Sequence, residues 1–418
     1  MQAQNDIVLH RFHLGDGAYP MGALVADAQQ NLYGVTSWGG KGNCTYQPRQ
    51  RSGCGTVFEL TRSDGGGWNQ TILYEFQGAT DGAFPRAGLV PDQAGNLYGT
   101  TMGGGLSQAC CGTVFELSPP AQPGSDWTET VLYRFTAYTD GALPVGRLIF
   151  DQSGNLYGTA ASGGQIYDCC GTVFELSPPA QPGSDWTETT LHVFHTQPGD
   201  GYSPYAGLTF DQSGALYGTT YGGGDSGSYG TVFRLRPPKQ PEGRWSETIY
   251  SFRAGTNDGY APEGDLIWVR GNLIGTTSGG GLYSSGTVFQ ISSSPSGITE
   301  SILYNFQLGN ITGAVNSGLI VDSADNLYGT TLVGGNGDCE DGLGCGMVFQ
   351  LVHPSKPDGD WTENTIYEFQ GGPDGIFPFG MLLQSGNWLL GTTAEGGGSQ
   401  TCNPGGVDGC GTVFAVRK

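Results

Sequence analysis

Asn96-Leu97-Tyr98-Gly99-Thr100-Thr101 recurs with small changes seven times along this chain, its central glycine falling at Gly34, Gly99, Gly158, Gly218, Gly275, Gly329 and Gly391. These glycines stand about 60 residues apart, and self-similarity at such a period marks a repeat architecture. In the third copy, the unit opens with the apolar run Leu148-Ile149-Phe150 and the polar turn Asp151-Gln152-Ser153-Gly154-Asn155. A second run, Leu156-Tyr157-Gly158-Thr159, leads into a Gly-rich loop; a third, Gly171 to Leu176, leads into a Pro-rich loop; a fourth, Glu188 to Phe194, closes the unit. Short runs rich in β-branched and aromatic residues, bounded by Gly, Pro, Asn and Asp, read as strands joined by turns.

Four strands in each of seven repeats predict an all-β chain folded as a seven-bladed β-propeller, each blade a small antiparallel sheet. The last repeat stops after its third strand, Gly411 to Val416, whereas residues 6–12 match the fourth strand of other copies, such as Thr130 to Phe135. The N-terminal strand 6–12 is therefore expected to complete the blade formed by 378–416, making residues 1–418 one propeller and leaving no open edge.

The Asn-Leu-Tyr-Gly-Thr-Thr…Gly-Gly…Gly-Thr-Val-Phe signature resembles the bacterial GloVer-type tandem repeats, found in secreted proteins that carry varied C-terminal surface anchors. The resemblance covers nearly the whole chain, with departures at Asn272-Leu273-Ile274-Gly275 and Asn387-Trp388-Leu389-Leu390-Gly391. It implies a fold and an extracellular location, and brings no catalytic residues with it.

Composition narrows the function classes. A net charge of −21 disfavours nucleic acid, whose phosphates call for clustered Lys and Arg, and disfavours anionic membrane surfaces as well. An acidic balance of this kind serves solubility. No stretch approaches the roughly 20 apolar residues of a membrane-spanning helix, so no membrane insertion is expected. Met1 to Asn5 carry no signal-peptide features, and any leader or surface anchor is expected to lie outside this stretch of sequence. Met1 is read as an initiator before a mature secreted sequence.

The ten cysteines speak for an oxidising compartment. All lie between second and third strands; Cys54, Cys111, Cys170, Cys345 and Cys410 share one repeat position, and Cys44, Cys110, Cys169, Cys339 and Cys402 precede them in the same loops. Five local pairs are expected to be disulfides. Two pairs are adjacent in sequence, and Cα atoms about 3.8 Å apart across a trans peptide fall short of the usual disulfide span of about 4.4–6.8 Å. Vicinal rings at Cys110–Cys111 and Cys169–Cys170 are the expectation, with cross-linking between these two neighbouring blades as the alternative.

The second-to-third-strand loops and the connections to the next blade share one end of each blade, which gathers the cysteines and the Asp-Gly-x-x-Pro segments starting at Asp16, Asp81, Asp140, Asp200, Asp258 and Asp374. Elaborated loops on a rigid scaffold are where binding usually resides. The recurring Asp-Gly pair reads as turn chemistry rather than as calcium ligands. The loop holding Asp338, Glu340 and Asp341 is the better calcium candidate, although a solvated acidic loop is the plainer reading. No other metal or cofactor is expected. His10 with His13 and His192 with His195 share a three-residue spacing, which in a strand points side chains to opposite faces, so neither pair reads as a metal site. His353 reads as a solvated loop residue. The sequons at Asn43, Asn69 and Asn310 matter only in a host that glycosylates them.

Positions where the copies disagree carry the functional signal. Just past the Asp-Gly-x-x-Pro and Gly-Thr-Thr segments stand Arg86, Arg147, Tyr205, Glu263 and Asp265, with Trp38, Tyr221 and Glu395. Placed near the mouth of a central channel, Arg86, Arg147, Tyr205, Tyr221 and Trp38 would suit a sugar: aromatic faces stack on its apolar face while arginines and carboxylates hold hydroxyl or uronate groups. The alternative is that these residues pair with one another across blade mouths. A glycosidase would draw two carboxylates from Glu263, Asp265 and Glu395; a uronate lyase would use Tyr205 as base beside an arginine. The leading reading is a secreted or surface propeller that binds an extracellular ligand, a carbohydrate, without catalysis. A polysaccharide-degrading enzyme, or a structural subunit of a self-assembling surface structure, is the rival.

Overall fold

The computed structural model of the chain describes residues 8–46, 51–107, 110–122, 124–164, 170–181, 183–225, 227–240, 243–255, 258–294, 297–307, 315–339, 342–356, 359–402 and 409–418. The fold is all-β: seven small antiparallel sheets form the blades of a seven-bladed β-propeller. By compactness the chain divides into two units. The first comprises Met1–Val131, Tyr328–Gln350 and Asn364–Lys418, and the second comprises Leu132–Leu327 and Leu351–Glu363.

The third sheet, in the second unit, shows how the repeat becomes a blade. Ile149–Phe150 pairs with Leu156–Ser162, which pairs with Thr172–Ser177, which pairs with Thr187–Val193. A fifth, short strand, Ala142–Pro144, pairs with the far end of Leu156–Ser162. The Asp-Gly-x-x-Pro segment is thus itself part of the sheet, and the innermost strand comes in two pieces. The sequence pattern hides this because the first piece is only two or three residues long.

The repeated motif reads, position by position, as packing. Gly99 lies opposite Phe115 on the neighbouring strand, and a Cβ at Gly99 would sit 2.6 Å from the Phe115 ring and 3.1 Å from Leu89. Gly34, Gly218 and Gly391 face Phe58, Phe233 and Phe414 in the same way. Only a residue without a Cβ lets the phenylalanine of Gly-Thr-Val-Phe lie flat on the strand.

That phenylalanine then meets the last phenylalanine of the preceding repeat edge-to-face. In the first unit, Phe12–Phe58, Phe76–Phe115 and Phe369–Phe414 stand 5.1, 5.2 and 5.0 Å apart. In the second, Phe135–Phe174, Phe194–Phe233 and Phe252–Phe289 stand 5.1, 5.2 and 5.1 Å apart. All twelve rings are buried, in the tilted geometry aromatic quadrupoles favour.

The polar positions of the motif are also committed. Thr101 Oγ1 bonds Thr113 Oγ1 at 2.8 Å, and Thr220 Oγ1 bonds Thr231 Oγ1 at 2.7 Å, so buried hydroxyls satisfy each other. Asp151 accepts from the backbone N–H of Ser153 and Asn155, from the Asn155 side chain and from the Tyr157 hydroxyl. This is an Asx turn.

In the first unit, Val8–Arg11 forms the edge of the sheet that holds Ile376–Pro378, Trp388–Glu395 and Thr412–Arg417. It pairs antiparallel with Thr412–Arg417, Val8 opposite Phe414 and Arg11 opposite Thr412. The N-terminal strand closes the last blade, with Asp6 and Ile7 of the expected 6–12 strand outside the described residues.

Disulfides join Cys44 to Cys54, Cys339 to Cys345 and Cys402 to Cys410, with Cα atoms 5.0, 5.1 and 5.3 Å apart. Cys110 and Cys111 are bonded to each other as a vicinal ring. Cys170 is disulfide-bonded, and Cys169 lies outside the described residues. So do Glu340 and Asp341 of the calcium candidate loop and the Asn310 sequon. No helix among the described residues is long and apolar enough to cross a membrane.

Candidate functional site

The exposed large apolar side chains among the described residues fall at one end of the sheets. In the first unit they are Leu106, near the end of the second strand Leu97–Ser107, and Leu343, between second and third strands. In the second they are Leu282 and Tyr283 in such a loop, Tyr138 before an Asp-Gly segment, and Tyr205 and Tyr221 beside the innermost strand. The opposite end, with its Asx turns and Pro-rich loops, presents none among the described residues.

The residues singled out in the sequence divide between the units. In the second, Arg147 Nε lies 3.4 Å from Asp265 Oδ2, while Asp265 Oδ1 accepts the Gly207 N–H at 2.6 Å. Glu263 accepts the Asn316 side-chain amide at 3.2 Å. Asp265 and Glu263 are therefore held by neighbouring repeats, and Arg147 reaches Asp265 from two repeats away. Tyr205 and Tyr221 stay solvent-facing, 39% and 42% exposed, and meet edge-to-face at 5.7 Å. Burial, then the nearby Glu263 carboxylate and Tyr205, raise the Tyr221 hydroxyl above its ordinary pKa.

In the first unit, Trp38 is buried, its ring 4.3 Å from Phe84, which withdraws it from a solvent-facing stacking role. The Arg86 guanidinium lies over the Phe379 ring at 5.1 Å. Glu395 is buried at the end of Trp388–Glu395.

A second constellation recurs from blade to blade and escaped the reading of the sequence. The Asp-Gly aspartate accepts the hydroxyl of a tyrosine on the preceding outermost strand: Tyr74 to Asp81 at 3.0 Å, Tyr133 to Asp140 at 3.0 Å, Tyr250 to Asp258 at 3.3 Å and Tyr367 to Asp374 at 2.8 Å. The same aspartate caps the turn, Asp140 accepting the Thr136 N–H and hydroxyl. A glutamate of the next outermost strand lies near three of these pairs, Glu129 by Tyr74, Glu188 by Tyr133 and Glu300 by Tyr250. Burial, followed by the nearby aspartate, pushes Glu188 up to about 7 and Glu300 up to about 8, so both are neutral acids in mildly acidic solution. The sequence carries this as Thr/Ser-Glu before the Leu/Ile-Tyr-x-Phe runs, such as Thr128-Glu129 and Ser246-Glu247. It becomes a constellation only when the sheets are juxtaposed.

In two repeats histidine replaces that tyrosine. His10 and His192 lie opposite Val413 and Val173, the register held by Tyr74 and Tyr250 opposite Val57 and Val232. His10 Nε2 lies 3.4 Å from Asp16 Oδ2. His192 Nε2 lies 3.4 Å from Glu247 Oε1 and 3.8 Å from Asp200 Oδ1.

Fold and sheet pattern define a seven-bladed propeller of the tandem-repeat class. The chain belongs to the Gloeobacter/Verrucomicrobia repeat family, whose model matches residues 1–195, 44–242 and 170–403. Among solved structures it is similar to a catalytically inactive variant of virginiamycin B lyase from Staphylococcus aureus with quinupristin, at 12% identity and a TM-score of 0.55, covering 98% of each chain. It is also similar to PorZ, a bacterial surface component of the type-IX secretion system of Porphyromonas gingivalis, at 13% identity and a TM-score of 0.51, covering 96% of this chain and 46% of PorZ. At such identities the likeness is one of fold. No curated protein sequence matches the chain.

Proposed function

We propose that this is a secreted or cell-surface propeller that binds an extracellular carbohydrate without catalysis, at the end of the blades that bears the second-to-third-strand loops. The observation that carries the reading is the solvent-facing Tyr205–Tyr221 pair. Rigid aromatic rings with polar tips, set near a carboxylate, match the apolar face and hydroxyl rim of a sugar. The engagement of Asp265 by Arg147 and Gly207 leaves it poorly placed as a general acid or nucleophile, which favours binding over hydrolysis. The disulfides fit an oxidising, extracellular setting, and the family resemblance points to the cell surface.

Glycan-array binding by the full chain tests this. Tyr205→Ala and Tyr221→Ala are each expected to weaken the best glycan at least about tenfold, the order of loss for an aromatic anchor, with no sugar product released. Release of reducing ends or unsaturated uronates, abolished by Glu263→Gln, would establish the polysaccharide-degrading enzyme instead.

A further inference from the structure

We infer that His192, Asp200 and Glu247 form a binding site for a divalent transition-metal ion of the zinc type, clamping two neighbouring sheets of the second unit. His192 comes from the outermost strand Thr187–Val193, Asp200 from the turn that follows it, and Glu247 from the next outermost strand, Ser246–Ser251. One ligand atom from each lies within 4.8 Å of the other two. Ligands about 2.0–2.1 Å from a tetrahedral zinc stand about 3.4 Å from one another, the separation already present between His192 Nε2 and Glu247 Oε1. The 3.8 Å from Nε2 to Asp200 Oδ1 needs only a small inward movement.

Where Tyr133 donates a hydrogen bond to Asp140, His192 Nε2 is buried without a hydrogen-bond partner. Glu247 Oε1, which faces it at 3.4 Å, is also buried without one, as is Glu300 Oε1 in a tyrosine repeat. An imidazole nitrogen and two carboxylates together balance the charge of a dication, in a donor set of the N/O type that suits zinc and its first-row neighbours. Asp200 is already oriented, its Oδ2 accepting the His195 N–H at 2.9 Å and its Oδ1 the Gly201 N–H at 2.7 Å, as outer partners orient ligands in metal sites. The three side chains are 15–20% exposed. His192 also lines a groove with Glu175, Thr190, His195 and Trp245.

The molecule supplies its own control. The other histidine of this register, His10, has Asp16 beside it. The position matching Glu247, which lies opposite Leu235, is Gln70, opposite Leu60. The Gln70 amide donates to the Asp16 carbonyl at 3.2 Å. That repeat has two ligands where this one has three.

Isothermal titration of zinc chloride into the chelator-treated, tag-free chain, with melting curves in parallel, tests the site. One zinc per chain and a zinc-dependent rise in Tm are expected, with no such rise for calcium, a cation that favours all-oxygen sites. His192→Tyr installs the residue that the tyrosine repeats carry at this position and should fold while losing at least tenfold in zinc affinity. Glu247→Gln should lose as much, and His10→Tyr should bind like the parent chain. Absence of a zinc-dependent rise in the parent, or an equal rise in His192→Tyr, would overturn the inference.

Discussion

A carboxyl group half-enclosed by protein keeps its proton unless something compensates the charge, and neither Glu188, which has one hydrogen bond from the Thr190 hydroxyl, nor Glu300 has a cation to do so. Their acids are held at about 7 and about 8 against an ordinary 4.5. Below about pH 4.5 each is neutral in the folded and unfolded chain alike, and its contribution to stability is fully present. As pH rises, the unfolded chain releases a proton that the fold retains, so stability drains away until the folded acid ionises as well, near pH 7 to 8. The parent Tm should therefore fall between pH 5 and 8 more steeply than that of a Glu188→Gln, Glu300→Gln double variant. Identical slopes would show that these acids do not titrate as described. Tyr133 and Tyr250, held above their ordinary range first by burial and then by the same carboxylates, remain neutral throughout.

Among the strand elements, the glycine of Asn-Leu-Tyr-Gly-Thr-Thr is the most constrained position. At Gly99 an added methyl would press into Phe115 and Leu89, in a buried layer that cannot expand cheaply. Gly99→Ala should cost about 1–3 kcal/mol, the usual range for overpacking, read as a lowered denaturation midpoint. Gly65, in an exposed turn where an added methyl would meet nothing within 4 Å and the backbone is not left-handed, is the matched control. Gly65→Ala should be near neutral, and equal losses at the two sites would refute the packing account. The recurrence of this glycine and this phenylalanine in every repeat could be read from the sequence, although the loop between them varies in length. The first piece of the innermost strand could not, since Ala83–Pro85 is too short to carry an alternation.

At the level of the whole molecule, the N-terminal strand covers the edge of Thr412–Arg417 and buries Phe12 completely against Phe58. Deleting residues 1–12 should lower the Tm and leave an unpaired edge that associates with other copies. Light scattering after size exclusion would detect this, and a stable monomer with an unchanged melt would show the strand to be dispensable. The out-of-phase ends of the chain announced this pairing, as the seven copies announced the seven sheets and the paired cysteines their loops. Each of these is a regularity along the chain, set by residues repeating in a fixed order, and sequence alone determined it. Which polar residues meet was decided only in three dimensions. Arg147 spends its charge on Asp265, Trp38 turns in against Phe84, and His192 finds Glu247 on the neighbouring sheet. Such meetings depend on how one repeat's strands face those of the next, a relation that periodicity does not encode because every copy carries the same pattern while the side chains at the contact differ.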